Sequence, residues 1–321
     1  MNAALKRGAG WVLRVALTVA VTYFLFRSLR ISWSEIAALD AQSWRPRPVP
    51  LVASFGVLLV VLTFTVRLWL GMVRSLGGPR LALAEAVRVF YLANLGRYVP
   101  GKVWQLAGLA YLAGKRGVSL PVATTSAVLG QIFSLGAAAT VAALGLVLGV
   151  GSGYPREVVP WAVALLVLVA VGTLVPAALR LGLRIAFRLT GRGQEPPEID
   201  GWFGARWLAL YLPVWLGYGV AFGLLWASFP ALGPVFWPGA IGGFAAAYFL
   251  GYAALFAPAG VGVREGAMAV LLAPWAGAAA AAVLAVIARI WMTVGEVVPL
   301  SVAGGAWAVG RLRKDPEGLT R

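Results

Sequence analysis

Apolar residues run through this chain in blocks too long for a soluble core. Six blocks approach or exceed the ~20 residues a helix needs to cross a bilayer. They are roughly Trp11–Leu29, Pro50–Met72, Ser119–Val150, Val158–Leu179, Trp207–Phe229 and Trp275–Gly310. Two more apolar stretches, Leu83–Ala113 and Gly239–Ala273, are interrupted in their middles. Ser32–Trp44, with Trp33, Ile36 and Leu39 at helical spacing, reads as a short helix on the membrane surface.

The interrupted stretches organise the rest. Tyr91–Tyr111 carries Arg97, Pro100, Gly101 and Lys102 inside an otherwise apolar run. Tyr248–Met268 is broken at Pro258 and continues into Gly260, Gly262, Arg264 and Glu265. Proline and glycine break helices, and the freed backbone groups cannot face lipid, so each break must be shielded by protein or line a cavity. Pro100 and Pro258 lie 158 residues apart, and the spans before them start 157 apart, at Pro50 and Trp207. Each half therefore reads as a span, a broken hairpin and a long span. Gly145 and Gly149 in the first long span have the spacing of a close helix contact.

Charge sets the expected orientation. Arg74 and Arg80 precede the first broken stretch and Lys115 and Arg116 follow it, so both its ends are expected in the cytoplasm. The second broken stretch has uncharged ends and is expected to enter and leave from outside. An inverted-topology repeat results, with breaks at matching places, which is the sequence pattern of a transport site. The predicted fold is an all-α polytopic membrane protein, with about six full spans and two re-entrant helical hairpins. It forms one membrane domain over residues 1–321, with repeats near 50–150 and 207–310 and a cytoplasmic basic helix and linker over 180–206. In that linker Arg180, Arg184, Arg188 and Arg192 recur every four residues between apolar ones, a pattern suited to anionic headgroups. Lys6 and Arg7 before the first span, and Arg311, Arg313 and Lys314 after the last, place both termini in the cytoplasm. The first span is expected to stay as a signal anchor, since Arg14 interrupts it and it lacks a small-x-small cleavage site at its end.

Of the 321 residues, 61% are hydrophobic and 12% charged, and the net charge is +16. In a soluble protein that excess would point to nucleic acid. Here it sits in loops and helix ends, as the positive-inside rule requires, and no nucleic-acid partner is expected. The chain has no Cys and no His, which removes disulfides, thiolate and imidazole metal sites and every nucleophile–His arrangement. No metal, cofactor or catalytic residue is expected, and no nucleotide-binding G-x4-G-K-[ST] occurs.

Ionisable residues at membrane depth are costly and commonly functional. In the first hairpin these are Arg97 and Lys102, with Asn94, Tyr98 and Gln105 as polar company. In the second they are Arg264 and Glu265, beside a glycine run whose amides could form an anion-binding cluster. Gln131 and Arg289 match across the repeats, again 158 apart, and Glu296 shares a helix face with Arg289. Two readings stay open. Arg289 and one glutamate, Glu265 or Glu296, could form an ion pair that only fixes packing. Alternatively the cations line a midplane cavity for a phosphate-bearing ligand.

The run NLGRYVPGKVWQLAGLAYLAGKRGVS, with Gln131 in the following span, resembles the transmembrane region of lysylphosphatidylglycerol synthases. APAGVGVREGAMAVLL followed by Arg289 resembles it too. The resemblance covers nearly the whole chain and implies a flippase-like membrane protein. Members often carry a Glu where Gln131 stands. The chain ends at Arg321 without a region resembling the soluble aminoacyl-transferase domain of the full synthases, so lipid translocation rather than aminoacylation is expected to carry over. The implied partner is a membrane phospholipid or a polyprenyl-phosphate-linked lipid. The expected substrate-binding set is Asn94, Arg97, Tyr98, Lys102, Gln131, Gly260, Gly262, Arg264, Glu265, Arg289 and Glu296. Two other functions stay open, a non-transporting partner of a glycosyltransferase or lipid-modifying enzyme and a membrane transferase. A homo-oligomer in the cytoplasmic membrane is compatible with each.

Overall fold

A computed structural model of the chain describes residues 44–98, 103–189, 201–255 and 257–314. The expected first span, the surface helix before Trp44 and the linker Gln194–Asp200 lie outside these residues. The described part is helical. Helix α1 spans Pro48–Ser75, α2 Leu83–Asn94, α3 Val103–Gly114, α4 Leu120–Leu148 and α5 Val158–Leu174. Then come α6 Pro176–Leu189, α7 Phe203–Ser228, α8 Trp237–Ala253, α9 Val263–Ala276 and α10 Ala278–Lys314. Helices α1, α4, α7 and the first part of α10 are long and apolar enough to cross a membrane. The fold is an all-α, polytopic membrane protein.

Both broken stretches fold as antiparallel hairpins. Between α2 and α3, Gln105 donates to Asn94 Oδ1 at 2.7 Å, Gly108 packs on Ala93, and Arg116 pairs with Glu85 at 3.0 Å. These helices have 12 residues each, about 18 Å of rise, which is less than a bilayer core. A 3₁₀ turn, Leu95–Tyr98, ends the first arm. The predicted break residues Pro100 and Gly101 lie outside the described residues. Between α8 and α9, Gly251 lies against Arg264, Gly243 against Leu272 and Gly239 against Trp275. A 3₁₀ turn at Pro258–Gly260 forms the second tip. There Ala259 takes φ 49°, a left-handed conformation that is costly for a residue with a Cβ.

Helix α1 runs antiparallel to α7. The Arg47 amide donates to the Ser228 carbonyl at 2.7 Å and Ser54 Oγ to the Ala221 carbonyl at 2.8 Å, while Gly71 meets Trp207 at the other end. The remaining packing comes in matched pairs. Helix α3 lies on α4 as α9 lies on α10, and α2 lies on α10 as α8 lies on α4. The tight α4–α8 contact depends on glycine, because a Cβ on Gly242 would come within 2.5 Å of Gly145 Cα. Gly145 therefore makes the close contact expected of it, whereas Gly149 packs on the Tyr154 ring.

Two boundaries differ from expectation. The span predicted over Val158–Leu179 stops at Leu174, and the chain bends by 78° into α6. Pro176 is the cause: it disfavours helical backbone at the residue before it, and Val175 is extended at ψ 112°. The basic helix thus begins four residues before Arg180. It buries Leu179 and Leu183 and exposes Arg180 and Arg184. Trp275 belongs to the second hairpin rather than the last span, because Gly277, at φ 78°, separates α9 from α10.

Candidate functional site

The two hairpin tips meet each other, and both are fastened to α10. From the first tip, Arg97 forms a two-pronged pair with Glu296. Its Nη1 donates to Oε1 at 2.8 Å and its Nη2 to Oε2. From the second, Glu265 accepts from Arg289 Nη1 at 3.1 Å, and the same nitrogen reaches the Ala259 carbonyl at 3.2 Å. Glu265 stands at the third position of α9, and its other oxygen accepts the Gly262 amide at 2.7 Å. That bond caps the helix, and the carboxylate also suits the positive end of its dipole. Arg289 and Glu296 are two turns apart on one face of α10, so each serves a different hairpin.

Arg264, next to Glu265, is handled differently. Its side chain is buried, and its guanidinium lies over the rings of Tyr248 at 4.9 Å and Phe244 at 5.3 Å. These aromatic faces attract a cation but take no hydrogen bond from its edge. Among the described residues Nη2 has no hydrogen-bond partner, and no carboxylate forms a salt bridge with this arginine. Arg97, Arg264 and Arg289 line one cavity with Tyr248, Tyr252 and Thr293. The empty space among them, solvent outside its mouth included, is about 510 Å³.

A second cavity adjoins the first and shares Arg97, Gln105, Tyr248 and Met292 with it. Asn94, Gln131 and Glu296 line this one. Gly260 and Gly262 depart from the expected role. The Gly260 amide donates to the Ala257 carbonyl at 3.0 Å and the Gly262 amide to Glu265, so neither is left for an anion. Their positive φ values, 68° and 79°, let the chain turn, and Gly260 lies directly on the Gly251 backbone. Lys102 and the side chain of Tyr98 lie outside the described residues. Phe244 and Tyr248, the aromatic seat of Arg264, are absent from the site set expected from sequence. Their four-residue spacing on an apolar helix looks like ordinary packing, and only the hairpin fold brings Arg264 onto them.

Charged side chains gathered around two broken helices, inside a bundle of apolar spans, define a polytopic membrane protein with a polar interior site. The chain belongs to the family described as Lysylphosphatidylglycerol synthase TM region, which it matches over residues 11–299. The family indicates a membrane protein concerned with lipid. No curated protein matches the chain.

Proposed function

We propose that this protein moves an anionic or phosphate-linked lipid between the leaflets of the cytoplasmic membrane. The headgroup is held in the cationic cavity while the hydrocarbon chains remain in lipid. The observation that carries this reading is Arg264, a buried guanidinium lining a cavity, without a carboxylate partner among the described residues. An unpaired Arg at membrane depth costs at least ~2.5–3.5 kcal/mol on insertion scales. A phosphate offsets that cost with charge-assisted hydrogen bonds. Arg97 and Arg289 already have glutamates, so they contribute further donors more than net charge. The same pairing occupies both acids near the cavity, Glu265 and Glu296, which favours transport over a transferase that would need a free base.

The antiparallel α1 and α7 and the exchangeable packing of the two halves support an inverted repeat. In such a repeat the hairpins open toward opposite faces, and rocking of one half against the other exposes a fixed site alternately. Reconstitution of the wild type and Arg264→Gln in vesicles, with an acyl-labelled phosphatidylglycerol, tests the reading. The wild type moves the label between leaflets, and the variant stays folded but loses both retained lipid and transport. A folded Arg264→Gln protein that transports at the wild-type rate overturns the assignment. A wild type that retains anionic lipid without moving it gives the role to a partner enzyme instead.

A further inference from the structure

A groove on the first hairpin lies apart from both central cavities and shares no lining residue with them. It runs between α2 and the end of α3, lined by Arg88, Val89, Leu92, Leu112, Lys115 and Arg116. Arg116 donates to Glu85 at 3.0 Å, and Lys115 Nζ lies 4.6 Å from the centre of the Tyr111 ring. Among the described residues no carboxylate forms a salt bridge with Lys115. Three cations against one carboxylate leave a net charge of +2 here. Lys115 and Arg116 stand on fixed backbone. Gly117, at φ 81°, ends the helix, and its amide donates to the Gly114 carbonyl at 3.1 Å. The amide of buried Val118 donates to the Ala113 carbonyl at 3.3 Å, which completes a glycine-dependent helix stop.

Polarity follows the same order on both arms. On α2, Leu92 lies about one turn nearer the tip than Arg88. On the antiparallel α3, Leu112 lies about one turn nearer the tip than Lys115 and Arg116. Charge therefore collects at the open end of the hairpin, with apolar surface deeper in the membrane. Leu92 is left exposed there. A free phosphate would need only the charge, whereas a phospholipid has this order of charge and hydrocarbon.

We infer that this groove holds one anionic phospholipid of the leaflet at the hairpin's open end, the side that charge assigns to the cytoplasm. Its phosphate sits between Arg88 on α2 and Lys115 and Arg116 beyond α3, where charge-assisted hydrogen bonds reach it from both arms. An acyl chain lies over Leu92 and Leu112. The lipid is a brace that ties the two arms together, not cargo. The inference does not depend on the proposed transport site, and this lipid is counted apart from the one that Arg264→Gln loses.

Native mass spectrometry of the full chain tests it, in the wild type and in Arg264→Gln, where the central anion site is disabled. The probes are phosphatidic acid and phosphatidylcholine of identical acyl chains, and inorganic phosphate. In Arg264→Gln one phosphatidic acid should bind about tenfold or more tightly than phosphatidylcholine, as two net charges near a membrane surface allow. Adding Lys115→Gln should weaken it about three- to tenfold, and adding Glu85→Gln should strengthen it about two- to fivefold. Lys115 is exposed and the Glu85–Arg116 pair is exposed too, so a melting assay should show the fold unchanged. Leu92→Ser should weaken phosphatidic acid and leave any binding of inorganic phosphate as it was. In the wild type the same substitutions should affect one of two bound lipids. The inference fails if phosphatidic acid binds Arg264→Gln no better than phosphatidylcholine, or if folded Lys115→Gln keeps the same affinity. It fails also if Leu92→Ser has no effect, which would make the groove a plain anion site. An equal number of bound lipids in the wild type and Arg264→Gln would instead remove the central site and leave the groove standing.

Discussion

Replacing Arg289 by Gln separates the structural task of this residue from its task at the cavity. The substitution removes the 3.1 Å bond to Glu265 and the 3.2 Å bond to the Ala259 carbonyl. Glu265 then remains charged and largely enclosed, with its side chain 11% exposed and only the Gly262 amide as a bonded neighbour. Breaking one side of a fully buried pair costs about 3–5 kcal/mol. The retained amide bond and the 21% exposure of Arg289 reduce this to about 2–3 kcal/mol. Adding Glu265→Gln removes the stranded charge and still offers the Gly262 amide a carbonyl acceptor. The double variant should therefore recover most of the loss and lie within about 1 kcal/mol of the wild type, a coupling of about 2 kcal/mol. Equilibrium unfolding in mixed micelles measures the four members of the cycle, and lipid retention is read on the same samples. Stability should return in the double variant and lipid retention should not, because the cavity has lost a donor. A double variant no more stable than Arg289→Gln would show that the pair does not fasten the second tip. Retention recovered along with stability would remove Arg289 from the binding site.

Gly145→Ala forces a methyl group into the backbone of α8 and should cost about 1–3 kcal/mol by overpacking, measurable by the same unfolding assay. Because the chain has no Cys, single cysteines at Gly114 and Gly233 report orientation without background. The first should react only from the cytoplasm and the second only from outside, and the same side for both would refute the inverted arrangement. Neutralising Arg180 and Arg184 together should weaken association of the protein with anionic lipid by about 1 kcal/mol per charge. Both side chains are exposed, so thermal stability should hold in a melting assay.

The fold was legible where a local rule met an apolar background. A proline, a glycine beside it and two charges in the middle of Tyr91–Tyr111 have no other place in a membrane than a shielded break, and the hairpin formed by α2 and α3 lies where they indicated. Pro176 obeys an equally local rule, yet the hydropathy that continues through Leu179 masked it. The site was legible as a set of costly charges but not as a set of partners. Helical periodicity put Arg289 and Glu296 on one face, and only the packing of α2 against α10 reveals that Glu296 belongs to Arg97, 199 residues away in sequence. Two buried polar atoms without a hydrogen-bond partner among the described residues, Trp69 Nε1 and Tyr91 Oη, could not be found at all, because each sits in an apolar helix and its partners are set by the packing of other helices.

Both hairpin tips depend on the last helix for a counter-charge, and this has a consequence for biosynthesis. A nascent chain that has emerged only as far as Gly277 presents Arg97, Arg264 and Glu265 before Arg289 and Glu296 are free to pair with two of them. Each such charge costs several kcal/mol at membrane depth. The nascent bundle is therefore poorly settled until α10 enters, and its insertion closes two distant joints at once. A chain cut short before α10 would keep its apolar helices but carry mismatched charge in the membrane. Membrane quality control would have a clear signal by which to remove it.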